Sequence, residues 1–293
     1  MRRRLLLALL PLLAPGCAGA GDAARPIVVG SKNFTEQVLL AEILAQQIEE
    51  RAGLRVDRRT SLGGTFICHR ALVAGEIDVY VEYTGTALTA ILGESPAGDP
   101  EAVFDRVKRE YARRFGLEWL PPLGFDNTFA MVVRGEDARR HGLRSISDAA
   151  PLAPRWRPGF GYEFLERPDG YRGLTEAYGL RFGHAPRTME LGLIYRALKE
   201  KQVDIVAGNS TDGAIAALDF VALEDDRKYF PPYQAAPVVR ADRLARHPAL
   251  RAALERLAGV LSEAEMRRLN NAVEGGRRPA RAVAREFRRA RGL

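Results

Sequence analysis

Polar and aromatic residues gather at the end of an apolar stretch that begins at Val79, in the sequence VYVEYTGTA. Its β-branched and aromatic residues predict a buried strand that ends at Glu82 and Tyr83. Ligands of α/β proteins usually bind at the carboxyl ends of such strands, so this change of composition predicts a ligand site. The alternative is a simple strand-to-helix turn, in which Thr84 or Thr86 only caps the next helix.

Residue types that enzymes use for covalent or metal chemistry are few and scattered in this chain. The histidines, His69, His141, His184 and His247, lie in unrelated contexts, and the sequence has no H-x-x-x-H, G-x-S-x-G or Walker-type pattern. The pair Cys68-His69 lacks further metal ligands at a useful spacing, which indicates a packed pair on a helix. We therefore expect no catalysis, no metal and no cofactor.

The first twenty residues have the composition of a secretory signal peptide. A basic start at residues 2–4 precedes an apolar run at 5–14 that is too short to span a bilayer, and small residues follow at 18–20. Two cleavage sites fit. Cleavage after Ala20 releases a soluble chain, whereas cleavage before Cys17, in a lipobox-like segment without the usual leucine, leaves a lipid-bearing cysteine. We expect an exported protein in the periplasm or on the extracytoplasmic face of a bacterial membrane.

The charge balance gives little support to a nucleic-acid partner. The formal net charge is +7, and it falls to +4 when the three arginines of the leader are removed. Many of the remaining arginines follow Arg277, in a segment where Val283 and Phe287 lie on one helical face. This pattern favours a terminal helix with a solvated basic face over a nucleic-acid arm. Cysteines occur only at positions 17 and 68, so no disulfide framework is available.

Short β-branched segments alternate with longer helical patterns, which predicts βαβ units and largely parallel sheets. The pattern breaks twice at paired prolines, in WLPPLGFDN and in KYFPPYQAAPVVR. Two breaks indicate an inserted lobe: residues 21–124 and 231–293 form lobe I, and residues 125–230 form lobe II. Two α/β lobes joined by a double hinge suit a clamp that closes on a small ligand. No internal segment predicts a transmembrane helix, so transport or signalling needs separate membrane proteins.

Part of the sequence recurs at a displacement of 126 residues. RAL at 70–72 returns at 196–198, and IDV at 77–79 returns as VDI at 203–205. The repeat predicts that one helix-strand unit is built twice, once in each lobe. It aligns Tyr83 with Asn209 and Thr86 with Asp212, so each lobe offers a polar strand end to a shared cleft. The alternative is a chance match between two βα units.

Seven ordered segments resemble the substrate-binding proteins of osmoprotectant ABC importers, which take up glycine betaine, choline or carnitine. The segments are VGSKNFTEQ (29–37), LGG (62–64), GEIDVYVEYTGT (75–86), GFDNTFA (124–130), FLERPDG (164–170), VDIVAGNSTDG (203–213) and FPPYQAAPVVR (230–240). The resemblance covers essentially the whole mature chain. It implies a type II periplasmic-binding-protein fold and a monomer that delivers its ligand to a membrane permease driven by an ATPase.

The resemblance also implies a site with two halves. A trimethylammonium group has no N–H to donate, so aromatic faces hold it through cation–π attraction, whereas a carboxylate needs donors and positive charge. Carried over position by position, the aromatic box is formed by Tyr83, Phe129, Asn209 and Tyr233, with the backbone at Asn127 closing one side. The anion clamp is formed by Lys32, Thr86 and Arg167.

Two box positions depart from the family pattern. Relatives that hold betaine within four aromatic walls commonly have tyrosine where this chain has Phe129 and Asn209. Phenylalanine keeps an aromatic face, but asparagine has none. A box with three walls suits a ligand with an additional polar group that Asn209 can reach, so the sequence predicts the quaternary-amine class rather than glycine betaine itself.

Two other functions remain open at this point. A receptor for amino acids on the same fold would hold an ammonium group with carboxylates, for which Glu36, Asp78 and Glu82 are candidates. A ligand-sensing partner of a membrane receptor is the third alternative.

Overall fold

The computed structural model describes residues 25–95 and 98–293. The signal peptide and the two cleavage sites predicted at its end lie outside the described residues. Two five-stranded mixed sheets form the framework. In spatial order, the first sheet contains β2 (Val56–Gly63), β1 (Ile27–Lys32), β3 (Val79–Tyr83), β10 (Ala235–Arg240) and β4 (Leu117–Trp119). The second sheet contains β7 (Arg187–Thr188), β6 (Pro158–Phe160), β8 (Ile205–Asn209), β5 (Phe129–Arg134) and β9 (Phe220–Leu223).

Helices connect and cover the strands. They are α1 (Thr35–Gln47), α2 (Thr65–Ala74), α3 (Thr84–Thr86), α4 (Pro100–Phe115), α5 (Gly135–His141), α6 (Ile146–Ala149), α7 (Tyr162–Glu166), α8 (Tyr171–Tyr178), α9 (Leu191–Lys199), α10 (Ala214–Ala217), α11 (Ala241–Arg246), α12 (Pro248–Glu255), α13 (Glu263–Glu274) and α14 (Ala280–Ala290). π-helical turns extend α1 and α3 through Ile48–Ala52 and Ala87–Ile91, and a 3-10 turn spans Ala153–Arg155. Over the described ranges, no helix is both long and apolar enough to span a membrane.

The two sheets have the same spatial order and directions of strands. In the first sheet β1 pairs in parallel with β2 and β3, and β10 runs antiparallel between β3 and β4. In the second sheet β6 pairs in parallel with β7 and β8, and β5 runs antiparallel between β8 and β9. Strands β3 and β8 are displaced by 126 residues at both ends, and α2 and α9 begin 126 residues apart. The structure therefore confirms the internal repeat.

The chain passes between the sheets twice. The first sheet draws its strands from predicted lobe I, and the second sheet draws its strands from predicted lobe II. The two crossing segments lie side by side, because Asp126 and Gln234 form an antiparallel bridge and the N–H of Tyr233 donates to the Asp126 carboxylate at 2.9 Å. This arrangement brings two hinge strands together at the base of the cleft.

Each sheet is covered by apolar side chains on both faces. Leu40 of α1 belongs to the core on one face of the first sheet, and Leu72 of α2 belongs to the core on the other. The basic C-terminal segment is a helix, as predicted, and it buries Val283 and Phe287 against the core that contains α1. Arg288 departs from the predicted solvated face: it is buried and donates to the side-chain oxygen of Gln47 at 2.8 Å.

The Cys68-His69 pair is packed inside lobe I. Cys68 is fully buried, and burial raises the pKa of its thiol to about 12. The ring of His69 packs edge-on against Phe115, with centroids 4.7 Å apart, and burial lowers the pKa of His69 to about 4. The two side chains therefore serve as helix packing residues. Among the described residues, no group of three His, Cys, Asp or Glu side chains is arranged to hold a metal ion.

Candidate functional site

A cavity of about 430 Å³ lies between the two sheets, at the carboxyl ends of several strands. Lys32, Tyr83 and Asn209 are the last residues of β1, β3 and β8. The structure brings all eight residues of the predicted site to the wall of this cavity: Lys32, Tyr83, Thr86, Asn127, Phe129, Arg167, Asn209 and Tyr233. The change of composition at the end of β3 thus coincides with a cavity wall.

The two tyrosines of the predicted site, Tyr83 and Tyr233, each donate their hydroxyl hydrogen to a buried carboxylate. The hydroxyl of Tyr83 lies 2.6 Å from Oε1 of Glu36, and the hydroxyl of Tyr233 lies 2.5 Å from Oδ2 of Asp169. Burial, together with the adjacent carboxylate, raises the pKa of each tyrosine well above its ordinary value. A carboxylate acceptor polarises the phenol toward negative charge, which strengthens the attraction of the ring face for a cation.

Glu36 is the centre of a buried network that joins both lobes. Its Oε1 accepts from Tyr83 and from the amide of Asn127 at 2.8 Å. Its Oε2 accepts from the hydroxyl of Thr211 at 2.5 Å and from the amide of Asn270 at 3.1 Å. Burial raises the pKa of Glu36 above its ordinary value, although the four donors oppose that shift. The network ties α1 to the hinge, to lobe II and to α13.

The carboxylates considered for an amino-acid ammonium group are engaged elsewhere. Glu36, Asp78 and Glu82 do not line the cavity. Asp78 accepts a hydrogen bond from the N–H of Val28 at 2.8 Å, at the start of its strand, and Glu82 pairs with Lys32 at 2.6 Å. The structure therefore gives that alternative no support from the residues on which it was based.

The two cations expected to clamp a ligand carboxylate are already paired. Lys32 contacts Glu82 and also donates to the Thr65 hydroxyl at 2.8 Å. Arg167 forms a two-pronged pair with Asp169, at 2.9 and 2.5 Å. Burial opposes ionisation of Asp169, but Arg167 holds the pKa of that carboxyl below its ordinary value. Both pairs are almost fully buried, so they are fixed features of the cavity wall.

Arg167 also covers aromatic surface. Its guanidinium carbon lies 4.7 Å from the ring centroid of Phe129 and 5.8 Å from that of Tyr233. The predicted clamp and the predicted box are therefore in direct contact. At these distances the guanidinium can make cation–π contacts with both rings.

Asn209 of β8 pairs directly with Phe129 of β5 in the sheet. The side chain of Asn209 contacts Asp212. The Asn209 amide nitrogen is 3.4 Å from both oxygens of Asp212, which also accepts from the Tyr195 hydroxyl at 2.6 Å. Burial raises the pKa of Asp212 to about 7. Asn209 also lines a second, more open cavity of about 1010 Å³, and Phe34 lines both cavities. The cleft thus continues past Asn209.

The close approach of the hinge to α3 depends on a glycine. A Cβ atom on Gly85 would lie 2.7 Å from the carbonyl oxygen of Pro232 and 2.9 Å from the ring of Tyr233. Any side chain at position 85 would therefore push the Tyr233 wall away from Thr86. The glycine between the two threonines of EYTGT is required by packing.

Several residues of the cavity wall were not predicted. The additional wall residues with aromatic or charged side chains are Phe34, Phe66, Arg70, Tyr162, Glu163, Phe164, Glu166 and Glu190. Phe34 and Phe164 lie inside matched segments, where an aromatic residue beside a matched polar one was the available signal. Glu163 immediately precedes a matched segment, and nothing in its sequence context indicated a contact with the other lobe.

Two α/β lobes joined by adjacent crossings, with an aromatic-lined cavity between them, define a solute-binding protein that encloses a small ligand. Residues 25–290 match the family described as the substrate binding domain of ABC-type glycine betaine transport systems. The chain belongs to this OpuAC family. Members of the family are substrate-binding proteins of transporters, not enzymes.

Relatives cover nearly the whole chain. It is 35% identical over 286 residues to the carnitine transport binding protein OpuCC of Listeria monocytogenes, covering 97% of this chain and 92% of the relative. It is 36% identical over 297 residues to a glycine-betaine-binding protein of Pseudomonas aeruginosa, covering 98% and 93%. The crystal structure of a glycine betaine/carnitine/choline ABC transporter matches with a TM-score of 0.74 at 33% identity, covering 91% and 98%. The predicted family and the type II fold with two lobes are confirmed.

Proposed function

We propose that the protein binds a small quaternary ammonium solute of the glycine betaine, choline and carnitine class in the cleft. The observation that carries this proposal is the pair of tyrosine faces, Tyr83 and Tyr233, each polarised by a buried carboxylate. Phe129 adds a third face. Rings of this kind attract a diffuse cation that has no N–H to donate, with about 0.5–2 kcal/mol per ring. The names of the relatives support the same ligand class.

The charge of the cavity also supports a cationic ligand. Its wall carries three cationic and three acidic side chains: Lys32, Arg70, Arg167, Glu163, Glu166 and Glu190. Two of the cations are paired with Glu82 and Asp169, which lie behind the wall. The carboxylates therefore outnumber the cations, and a cleft with an excess of negative charge attracts and concentrates cations.

In the proposed complex, Tyr83, Phe129 and Tyr233 face the ammonium group, and the backbone at Asn127 closes one side. Lys32, Thr86 and Arg167 face the opposite end of the ligand, and Asn209 contacts any polar substituent. The lobes that close on the ligand are residues 21–124 with 231–293, and residues 125–230. The adjacent crossing segments at Asp126 and Gln234 support hinges at these boundaries.

The proposed partners are a membrane permease and the ATPase that drives it, with the binding protein acting as a monomer. We place the mature chain in the periplasm or on the extracytoplasmic face of a bacterial membrane, after removal of residues 1–20 or lipidation at Cys17. The composition of the leader supports export, and the family supports the transport role.

A thermal-shift screen of the mature chain tests the proposal. A ligand that binds only the folded state raises the melting temperature, so glycine betaine, choline or carnitine should raise it and common amino acids should not. The variants Tyr83→Ala and Tyr233→Ala should lose the shift. A shift with amino acids alone would contradict the proposal.

A further inference from the structure

Glu163 of lobe II contacts the beginning of helix α2 in lobe I. Its Oε1 accepts a short hydrogen bond from the backbone N–H of Thr65, and its Oε2 lies 3.3 Å from the Thr65 hydroxyl. The two residues are 98 positions apart in the chain. Glu163 also lines the cavity, so this contact crosses the cleft beside the proposed ligand site.

The groups that Glu163 contacts are hydrogen-bond donors at a helix N-terminus, which attract anions. The first N–H groups of a helix have no partner within the helix, and the helix dipole adds positive charge there. Gly64 precedes the helix and supplies no side-chain cap, while Lys32 donates to the same Thr65 hydroxyl. A Cβ on Gly64 would lie 2.2 Å from Oε1 of Glu163, so the absent side chain is what allows the carboxylate to approach.

The two cations of the predicted clamp are also engaged by protein carboxylates. Lys32 pairs with Glu82, and Arg167 pairs with Asp169. Glu163 differs from Glu82 and Asp169 because it is partly exposed on the cavity wall. Of these three carboxylates, it is therefore the one that an incoming anionic group would meet first.

We propose that Glu163 sets the preference of the cleft among quaternary ammonium solutes, because it holds the donors at the start of α2 that a ligand carboxylate would otherwise use. This inference rests on the proposed function. A carboxylated solute such as glycine betaine must displace Glu163 or bind beside a like charge, which is costly. A quaternary ammonium alcohol such as choline leaves the contact between Glu163 and Thr65 in place.

Calorimetric titration of the mature protein and its Glu163→Gln variant with glycine betaine and with choline tests this inference. Glutamine has nearly the same shape and can still accept from the Thr65 N–H, but it carries no charge. Relative to the dissociation constant for choline, that for glycine betaine should fall by about tenfold, because the like-charge repulsion is removed. An unchanged ratio, or a shift toward choline, would overturn the inference.

The variant Glu166→Gln distinguishes the contact between Glu163 and Thr65 from the general electrostatic field of the cavity. It removes a carboxylate from the same cavity wall at a position with no contact to Thr65, so it should shift the ratio much less. Equal shifts from both variants would overturn the role of the contact between Glu163 and Thr65.

Glu163→Ala repeats the test if the glutamine variant does not fold. If the unmodified protein binds neither of these solutes nor carnitine, the proposed function fails as well; if it binds glycine betaine and choline and the ratio stays constant, only this inference fails.

Discussion

The Tyr83 hydroxyl and the Glu36 carboxylate, 2.6 Å apart, connect the proposed ligand wall to a network that reaches both lobes. Glu36 also accepts from Thr211 of lobe II and from Asn270 of α13. Because the Thr211 contact crosses between the lobes, lobe II supplies one of the donors around this carboxylate. The carboxylate that polarises Tyr83 is therefore held by residues of both lobes.

Removal of the Tyr83 hydroxyl should weaken the binding of quaternary ammonium ligands. Tyr83→Phe keeps the ring but loses the hydrogen bond to Glu36, so we expect a loss of about 0.5–1.5 kcal/mol in binding free energy. Calorimetry with choline measures it. Tyr178→Phe is the matched control, because the Tyr178 hydroxyl also donates to a carboxylate, that of Asp225, at a position that does not line the cavity. An equal loss in both variants would show a general effect on stability.

Removal of Arg167 should affect carboxylated ligands more than choline. Arg167→Ala removes a guanidinium that can meet a carboxylate with two parallel N–H bonds, so glycine betaine should weaken by about 2–4 kcal/mol. Choline should weaken less, through the lost stacking on Phe129 and the unpaired Asp169. The two ligands are compared by calorimetry on the same preparation. Equal losses would show that Arg167 is only part of the cavity wall and does not bind the ligand carboxylate.

The sequence predicted the framework well because its signals are local. Short runs of β-branched residues predict the position of β3 and of its counterpart β8. The paired prolines coincide with the segments in which the chain crosses between the lobes. The pairing of the charged residues could not be predicted in this way. Lys32 and Glu82 lie 50 residues apart, and Thr65 and Glu163 lie 98 apart. Such contacts depend on how strands and lobes come together, which local composition does not specify.

Asp212 should make stability depend on pH. Burial raises its pKa from an ordinary value of 3.8 to about 7, so the folded state keeps a proton that the unfolded state has lost. The free energy of unfolding therefore falls as pH rises from about 4 to about 7, by at most about 1.4 kcal/mol per pH unit from this group. Asp212→Asn removes the effect, so the variant should gain stability relative to the unmodified protein over that range. Urea unfolding at pH 4.5, 6 and 7.5 measures the difference, and a constant difference would contradict the expectation.

The proposed aromatic box has no ring at Asn209, and Asn209→Tyr should supply one. A tyrosine there would stand beside Phe129, its direct partner on β5, so it could add a ring face to the cavity and narrow its continuation toward the second cavity. We expect glycine betaine to bind more tightly by about 0.5–2 kcal/mol, the contribution of one ring.

The same substitution should weaken any ligand whose substituent extends past position 209, because the ring would occupy that space. Amino acids with a primary ammonium group should change little. Asn209→Leu serves as the control, since it adds apolar bulk without an aromatic face and should not tighten betaine. Calorimetry on both folded variants makes the comparison. Unchanged betaine affinity in Asn209→Tyr would mean that Asn209 lies outside the box, or that the native ligand is a larger and more polar betaine that uses the continuation of the cleft.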